Sequence, residues 1–245
     1  MRHVIFPVLH GVQLDSIPDD FAASFIEGVG SYLSPEEKKH VVFLQYNWSK
    51  VTLERQMEIY NCVEKGLLRQ NLRKIKHTMA SDVVWYNRTK SDQGFFNYVH
   101  NELDRIIGEQ IQKHRNARVA LFGHSLGSQI AFNYCWETKH GDVAGIFFAG
   151  SPFTMYSGMF PGWGRLPQNL THFLINFYNK YDFISSRIQG VHPAREVADF
   201  VRDYEVPVSY NPFDWFTFGS HGVYWNSKFV WKVVAENLKM LITEK

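Results

Sequence analysis

Short apolar runs recur along the chain, and stretches whose apolar residues have helical spacing separate them. We interpret these runs as strands because they are rich in β-branched and aromatic residues, and they cover residues 4–9, 41–46, 82–86, 118–122, 143–150, 173–177 and 201–208. Helices are predicted near residues 21–29, 53–76, 96–111 and 126–134 and in the C-terminal segment. Strands that are apolar on both faces and alternate with helices indicate an α/β fold, in which a mostly parallel central sheet has helices on both faces.

Length and composition favour one large domain, residues 1–245, with a substantial core. Apolar residues make up 45% of the chain and charged residues 20%, and the formal net charge is +2. Such a small net charge gives no field that would favour nucleic acid as a partner. The longest apolar runs, such as 143–149, are too short to span a bilayer, so we expect no transmembrane segment. The sequence leaves the oligomeric state open.

The two cysteines and the N-terminus bear on the compartment. Cys62 and Cys135 fall in different predicted helices and lack metal-ligand spacing, so we interpret both as buried free thiols, although the sequence alone leaves a disulfide open. Met1-Arg2-His3 runs directly into a strand, without the apolar segment and small-residue cleavage site of a signal peptide. We therefore expect a cytoplasmic protein.

The candidate chemistry centres on Gly123-His124-Ser125-Leu126-Gly127, which has the pattern G-x-S-x-G. The motif follows a predicted strand and precedes a predicted helix. A serine at such a sharp turn has its hydroxyl pushed out at the end of the sheet, where a nucleophile is needed. The flanking glycines suit a strained turn that leaves no room for a Cβ.

A serine hydroxyl at neutral pH needs a base within hydrogen-bond reach, and that base needs an orienting acid. For a serine on this kind of turn, the acid and then the histidine follow it along the chain. Asp182 lies in the loop after a predicted core strand, and His221 lies in a predicted loop before the terminal helix. We therefore assign Ser125, Asp182 and His221 as the catalytic residues. Asp203 is the second choice for the acid, and His192 is the competing histidine.

An oxyanion in a tetrahedral intermediate needs two convergent backbone N–H donors. One is expected from Leu126, the residue after the nucleophile, and the other from Val12, in the loop after the first strand. His10 precedes the nucleophile in the chain, so we interpret it as a structural histidine that braces this loop. Such chemistry needs neither a metal nor an organic cofactor.

The whole chain from Val4 onward resembles an α/β-hydrolase of the lipase-like serine esterase type. The resemblance is carried by the His-Gly after the first strand, the Gly-His-Ser-Leu-Gly motif, Gly150-Ser151-Pro152, the Asn-x-x-Asp of Asn179 to Asp182, and the His-x-x-Tyr-Trp of His221 to Trp225. It implies an α/β-hydrolase fold with a small cap insert, but it does not fix the substrate. The chain departs from larger secreted lipases in its small insertions and its lack of an export signal.

A Gly/Pro-rich segment after the fifth strand is the candidate cap insert, residues 153–170. Its apolar side chains are expected to bind the acyl group of a substrate, and they are Tyr156, Met159, Phe160 and Trp163. A surface loop whose aromatic side chains pack down on the domain is an equal alternative.

These residues together predict a serine carboxylic-ester hydrolase that acts through an acyl-enzyme. Its partner is a small-molecule ester with an apolar acyl group. One alternative keeps the triad but acts on thioesters, amides or phospholipids. Another is a non-catalytic binding protein on the same fold, against which the presence of all three triad residues counts.

Overall fold

The computed structural model describes residues 1–11, 18–48, 86, 94–154, 165–190, 195–207 and 219–244. Several predictions lie outside these residues: the helix over 53–76, most of the strand over 82–86, and residues Val12, Cys62, Tyr156, Met159, Phe160, Trp163 and His192. Tyr86, the described residue of the predicted third strand, is helical, so the strand prediction is wrong at this position. Its hydroxyl is bonded to His100 and Asn133, which places it among helices rather than in the sheet.

The described residues form one sheet in which every strand pair is parallel. The strands are β1 (Val4–Leu9), β2 (Val41–Tyr46), β3 (Arg118–His124), β4 (Val143–Ala149), β5 (Leu170–Tyr178) and β6 (Val201–Glu205), in the spatial order β2-β1-β3-β4-β5-β6. The other six predicted strands are therefore confirmed. β3 and β4 are buried along nearly their whole length because helices cover both of their faces.

The helices are α1 (Ala23–Ser31), α2 (Pro35–Lys38), α3 (Phe95–Lys113), α4 (Leu126–Glu137), α5 (Arg195–Phe200), α6 (Gly219–Gly222) and α7 (Lys228–Thr243), and a 3-10 turn covers Val223–Asn226. The predicted helices at 21–29, 96–111 and 126–134 correspond to α1, α3 and α4. The prediction of a loop around His221 is wrong, because this residue lies in the one-turn helix α6. Cys135 is a buried free thiol, as predicted.

Two apolar clusters lie on opposite faces of the sheet. One packs α3 and α4 against side chains such as Leu121 and Ile146. The other packs α1 and α7 against the next side chains along the same strands, Phe122 and Phe147. This alternation confirms the prediction of helices on both faces.

The strand order makes the carboxyl ends of β1 and β3 the expected ligand-binding edge of the sheet. The chain leaves β1 toward β2 and later returns to β3 on the other side of β1, so the order reverses there. In α/β sheets, ligands bind where the strand order reverses. Leu9 and Gly123 are paired in register, so the turns that follow them, at Gly11 and at Ser125, leave the sheet side by side.

Candidate active site

Ser125 occupies the turn between β3 and α4 in a strained backbone conformation. Its φ is 52° and its ψ is −124°, in a region that residues with a side chain rarely adopt. A Cβ on Gly123 would lie 2.5 Å from the carbonyl oxygen of Gly127, and a Cβ on Gly127 would lie 2.5 Å from the carbonyl oxygen of His10. Both positions therefore need glycine for the turn to close.

Gly11, two residues after the end of β1, packs directly against Ser125. A Cβ on Gly11 would lie 2.5 Å from Ser125 Cβ and 3.1 Å from its Oγ. The Ser125 backbone N–H donates to the carbonyl oxygen of Ala149 at 2.9 Å, which ties the turn to the end of β4. The serine is held between two strand ends and is 6% exposed.

Asp182 and His221 form a hydrogen-bonded pair. His221 Nδ1 lies 2.9 Å from Asp182 Oδ2. Asp182 comes from the turn after β5, where its N–H donates to the carbonyl oxygen of Asn179 at 3.0 Å. His221 Nε2 is buried and has no hydrogen-bond partner among the described residues.

Donors surround the Asp182 carboxylate. Oδ1 accepts the Ile184 N–H at 3.0 Å, and Oδ2 accepts the Tyr224 O–H at 2.8 Å in addition to the His221 Nδ1–H. Burial raises the pKa of Asp182, but the hydrogen bonds and the charge of His221 outweigh it and hold the pKa below its usual range. The carboxyl group is therefore ionised at neutral pH.

His124 contacts the backbone and the ring of His221. Its Nε2–H donates to the backbone carbonyl oxygen of His221 at 2.7 Å, and the two rings lie 4.8 Å apart. Burial and the neighbouring His221 lower the pKa of His124 to about 3, so its imidazole is neutral and a single N–H remains to donate.

The turn after β4 closes the site on the side of His221. Gly150 has a φ of 61°, and a Cβ on it would lie 3.0 Å from His221 Cε1 and 2.9 Å from Tyr224 Cε2. The neighbouring Ser151 hydroxyl is 2.6 Å from Ser128 Oγ, whose own O–H donates to the carbonyl oxygen of Ser125 at 2.6 Å. This buried serine pair links the β4 turn to the turn that carries Ser125.

One known protein family matches part of the chain. Residues 88–207 match the family described as Serine aminopeptidase, S33. The matched segment contains Ser125 and Asp182 and ends before His221. The chain has the α/β-hydrolase fold, and this match covers just under half of its 245 residues.

Solved structures similar to this α/β-hydrolase include three at low identity. A protein described as a hydrolase of the alpha/beta superfamily, from Xanthomonas campestris pv. campestris, is 14% identical with a TM-score of 0.47, over 98% of this chain and 99% of that chain. The esterase domain of a Rhodothermus marinus protein is 12% identical with a TM-score of 0.43, over 98% of this chain and 86% of that chain. ClbQ from the colibactin NRPS/PKS pathway is 12% identical with a TM-score of 0.45, over 98% of both chains. No curated protein matches the chain.

Asp203, the second candidate for the catalytic acid of this α/β-hydrolase, has a different set of hydrogen-bond partners. Asp203 Oδ1 accepts the Asn176 side-chain N–H at 2.7 Å, and Oδ2 accepts the backbone N–H groups of Ile188 at 3.0 Å and Gln189 at 2.6 Å. Asp203 thus anchors the segment after the Asp182 turn. The rival histidine, His192, lies outside the described residues.

His10 braces the loop after β1, as the sequence predicts. Its Nδ1–H donates to the carbonyl oxygen of Gly11 at 2.6 Å, and its ring stacks on Trp48 at 4.9 Å. The Trp48 indole N–H in turn donates to the carbonyl oxygen of His10 at 2.8 Å. Burial lowers the pKa of His10 to about 4, so it is neutral at physiological pH.

Sequence reasoning missed the roles of His124 and Tyr224 in this α/β-hydrolase. His124 occupies a variable position of the G-x-S-x-G pattern, so the motif carries no signal for it. Tyr224 has a signal, because it follows His221 by one helical turn. Within the described residues, no group of three or more His, Cys, Asp or Glu side chains is placed to hold a metal ion, and no helix is both long and apolar enough to cross a membrane.

Proposed function

We propose that this α/β-hydrolase is a serine hydrolase that cleaves carboxylic esters with apolar acyl groups. The observation that carries the proposal is the arrangement of His221, whose Nδ1–H is bonded to Asp182 while Nε2 is buried and has no partner among the described residues. A neutral imidazole with its proton on Nδ1 has an acceptor lone pair on Nε2. That nitrogen is suited to take the proton of a serine hydroxyl.

Ser125 Oγ attacks the ester carbonyl carbon while His221 Nε2 takes the hydroxyl proton. The resulting oxyanion is stabilised by the backbone N–H groups of Leu126, the first residue of α4, and of Val12. The tetrahedral intermediate collapses, the proton passes from His221 to the leaving alcohol, and an acyl-enzyme remains. Water then attacks the acyl-enzyme with His221 again as base, which releases the carboxylic acid and restores Ser125.

Asp182 gives His221 its orientation and tautomer in this proposal. An ionised carboxylate that accepts the Nδ1–H keeps the lone pair on Nε2 and stabilises the imidazolium that forms during attack. Hydrogen bonds between catalytic groups are often formed only when substrate is bound. We therefore expect the contact between Ser125 and His221 Nε2 to form in the substrate complex.

The acyl-binding role of the insert belongs to the same proposal. The chain is taken as a single domain with a cap at residues 153–170. Tyr156, Met159, Phe160 and Trp163 are proposed to bind the acyl group on the basis of the sequence pattern.

A peptide substrate is the second candidate. It is favoured by the match of residues 88–207 to a family described as a serine aminopeptidase. The same triad can acylate on an ester or on an amide. The two candidates differ in the bond that is cleaved, not in the residues that act.

A fluorophosphonate probe tests the shared chemistry. We expect covalent labelling of the wild-type protein, with mass spectrometry locating the adduct on Ser125, and no labelling of Ser125→Ala at equal folded concentration. An adduct on another residue, or an unlabelled wild-type protein, would refute the proposed function. Turnover of p-nitrophenyl esters of increasing chain length is then compared with that of aminoacyl p-nitroanilides. Preference for the anilides would select the peptide substrate.

A further inference from the structure

A fully buried tyrosine hydroxyl contacts the Asp182–His221 pair from behind. Tyr224 is 0% exposed and lies in the 3-10 turn that directly follows α6, the helix that carries His221. Its O–H donates to Asp182 Oδ2 at 2.8 Å, the oxygen that also accepts the His221 Nδ1–H at 2.9 Å. One carboxylate oxygen therefore joins the two side chains.

The direction of the Tyr224 hydrogen bond is fixed by its neighbours. An ionised carboxylate can only accept, so the single phenolic proton is directed at Asp182. The Ser185 hydroxyl, 2.8 Å from the Tyr224 oxygen, must then donate to it. Ser185 Oγ accepts the Asn179 backbone N–H at 3.4 Å. The backbone of the β5 turn thus orders a chain of donors that ends on Asp182.

Both partners of the Tyr224–Asp182 contact are held in the required protonation state. Burial and the nearby Asp182 charge raise the pKa of Tyr224, so the phenol keeps its proton. Within the described residues, the other titratable side chains beside this contact are His221 and His124, whose ring lies 6.0 Å from that of Tyr224. His124 is neutral, so it adds no charge beside the pair.

We propose that Tyr224 is a positioning residue for the proposed hydrolysis, acting through Asp182. It fixes the position of Oδ2 beside His221 Nδ1 and disperses part of the carboxylate charge. The inference rests on the proposed function, since it assumes that His221 is the base. It adds a second determinant of the position of the base, one that the triad residues themselves do not supply.

Tyr224→Phe tests this role with little change in packing, because it removes only the hydroxyl. Without the hydroxyl the carboxylate charge is concentrated toward His221, which favours the protonated imidazole. The acidic limb of kcat/KM for p-nitrophenyl acetate should move to higher pH by roughly 0.5 to 1 unit. Looser orientation of the acid should lower kcat on the order of 10-fold, with KM unchanged. Ser185→Ala should move the acidic limb of kcat/KM in the same direction by a smaller amount.

Tyr134→Phe is the matched control. Tyr134 is also a buried tyrosine whose hydroxyl donates to a buried aspartate, Asp104 Oδ1 at 3.0 Å, but it lies near the far end of α4 from Ser125. Both substitutions should lower the unfolding midpoint, whereas only Tyr224→Phe should change the pH profile. Identical profiles for the two variants would overturn the positioning role.

Two further measurements separate this inference from the proposed function. Fluorophosphonate labelling of the wild-type protein reports whether Ser125 reacts at all. The proton NMR resonance of the His221 Nδ1–H reports the hydrogen bond to Asp182 without any substrate. A resonance that moves in Tyr224→Phe and stays in Tyr134→Phe supports the positioning contact even if labelling fails and the proposed function falls. An unmoved resonance in Tyr224→Phe would overturn the inference even if the wild-type protein is labelled.

Discussion

Gly11 and Ser125 approach each other so closely that position 11 has no room for a side chain. A Cβ there would lie 2.5 Å from Ser125 Cβ and 3.2 Å from His124 Nδ1. The constraint joins the turn after β1 to the turn after β3, at the point where the strand order reverses. It explains in physical terms why glycine follows His10 at the end of the first strand.

Gly11→Ala should displace Ser125 and lower kcat/KM on the order of 10²-fold, because a shift of about 1 Å in a reacting group costs that much. Overpacking should also destabilise the fold by about 1 to 3 kcal/mol. Gly30→Ala is the matched control, since Gly30 lies inside α1 and a Cβ there would be 3.7 Å from Lys38 Cε, an ordinary contact. Ester hydrolysis and urea unfolding of both variants check this. Full activity of Gly11→Ala would contradict this prediction, because it would show that the turn after β1 moves aside without displacing Ser125.

Asp182→Asn should leave a folded protein whose activity is lower by a factor on the order of 10³–10⁴, because His221 loses the partner that fixes its tautomer. Asp203→Asn should instead lower stability. The Asp203 carboxylate accepts the Ile188 and Gln189 N–H groups, whereas the amide nitrogen of asparagine is itself a donor and cannot accept them. Steady-state kinetics and thermal unfolding of both variants separate the two effects. The reverse pattern would place the acid on β6.

The centre of the sheet could be predicted from the sequence because its strands are buried on both faces. β1 and β4 are short continuous apolar runs rich in β-branched and aromatic residues, a composition that favours strands. The strand prediction is wrong at Tyr86 because it also rests on a short apolar run. An apolar run ending in aromatic residues suits a strand or a buried helix equally, and only the contacts of Tyr86 with His100 and Asn133 distinguish them.

Chain order is the basis of the predicted site. The sequence predicts Ser125, Asp182 and His221 from their order along the chain and from their places in predicted turns and loops, and the structure brings Asp182 and His221 together. The supporting contacts have no such order. His124 donates to the backbone of a residue 97 positions away, and a backbone acceptor leaves no mark on the sequence.

The buried histidines should make the fold acid-labile. His124 has a pKa lowered to about 3 in the folded protein, whereas an unfolded chain restores a value near 6.5. Unfolding then takes up a proton at any pH between these values, so stability falls as the pH falls through this range, by up to about 1.4 kcal/mol per pH unit. His124→Gln keeps an N–H donor and removes the titration. Urea unfolding from pH 7 to pH 4 should show a flatter profile for this variant, and parallel profiles would exclude His124 as a source of the slope.

The insert should control the size of the substrate more than the chemistry. It follows β4 in the chain, between the proposed nucleophile and acid, so the sequence predicts that it covers the site. Apolar side chains there would bury acyl carbons at about 0.8 kcal/mol per CH₂, which is several-fold in affinity for each carbon. Replacing Phe160 and Trp163 with alanine should therefore lower kcat/KM for long acyl esters and spare acetate esters.

Trp136→Ala is the control for the double variant, because Trp136 is 44% exposed at the far end of α4 and its loss should leave the chain-length profile unchanged. A uniform loss across all chain lengths in the double variant would assign Phe160 and Trp163 to the scaffold, and no loss would make the insert a surface loop.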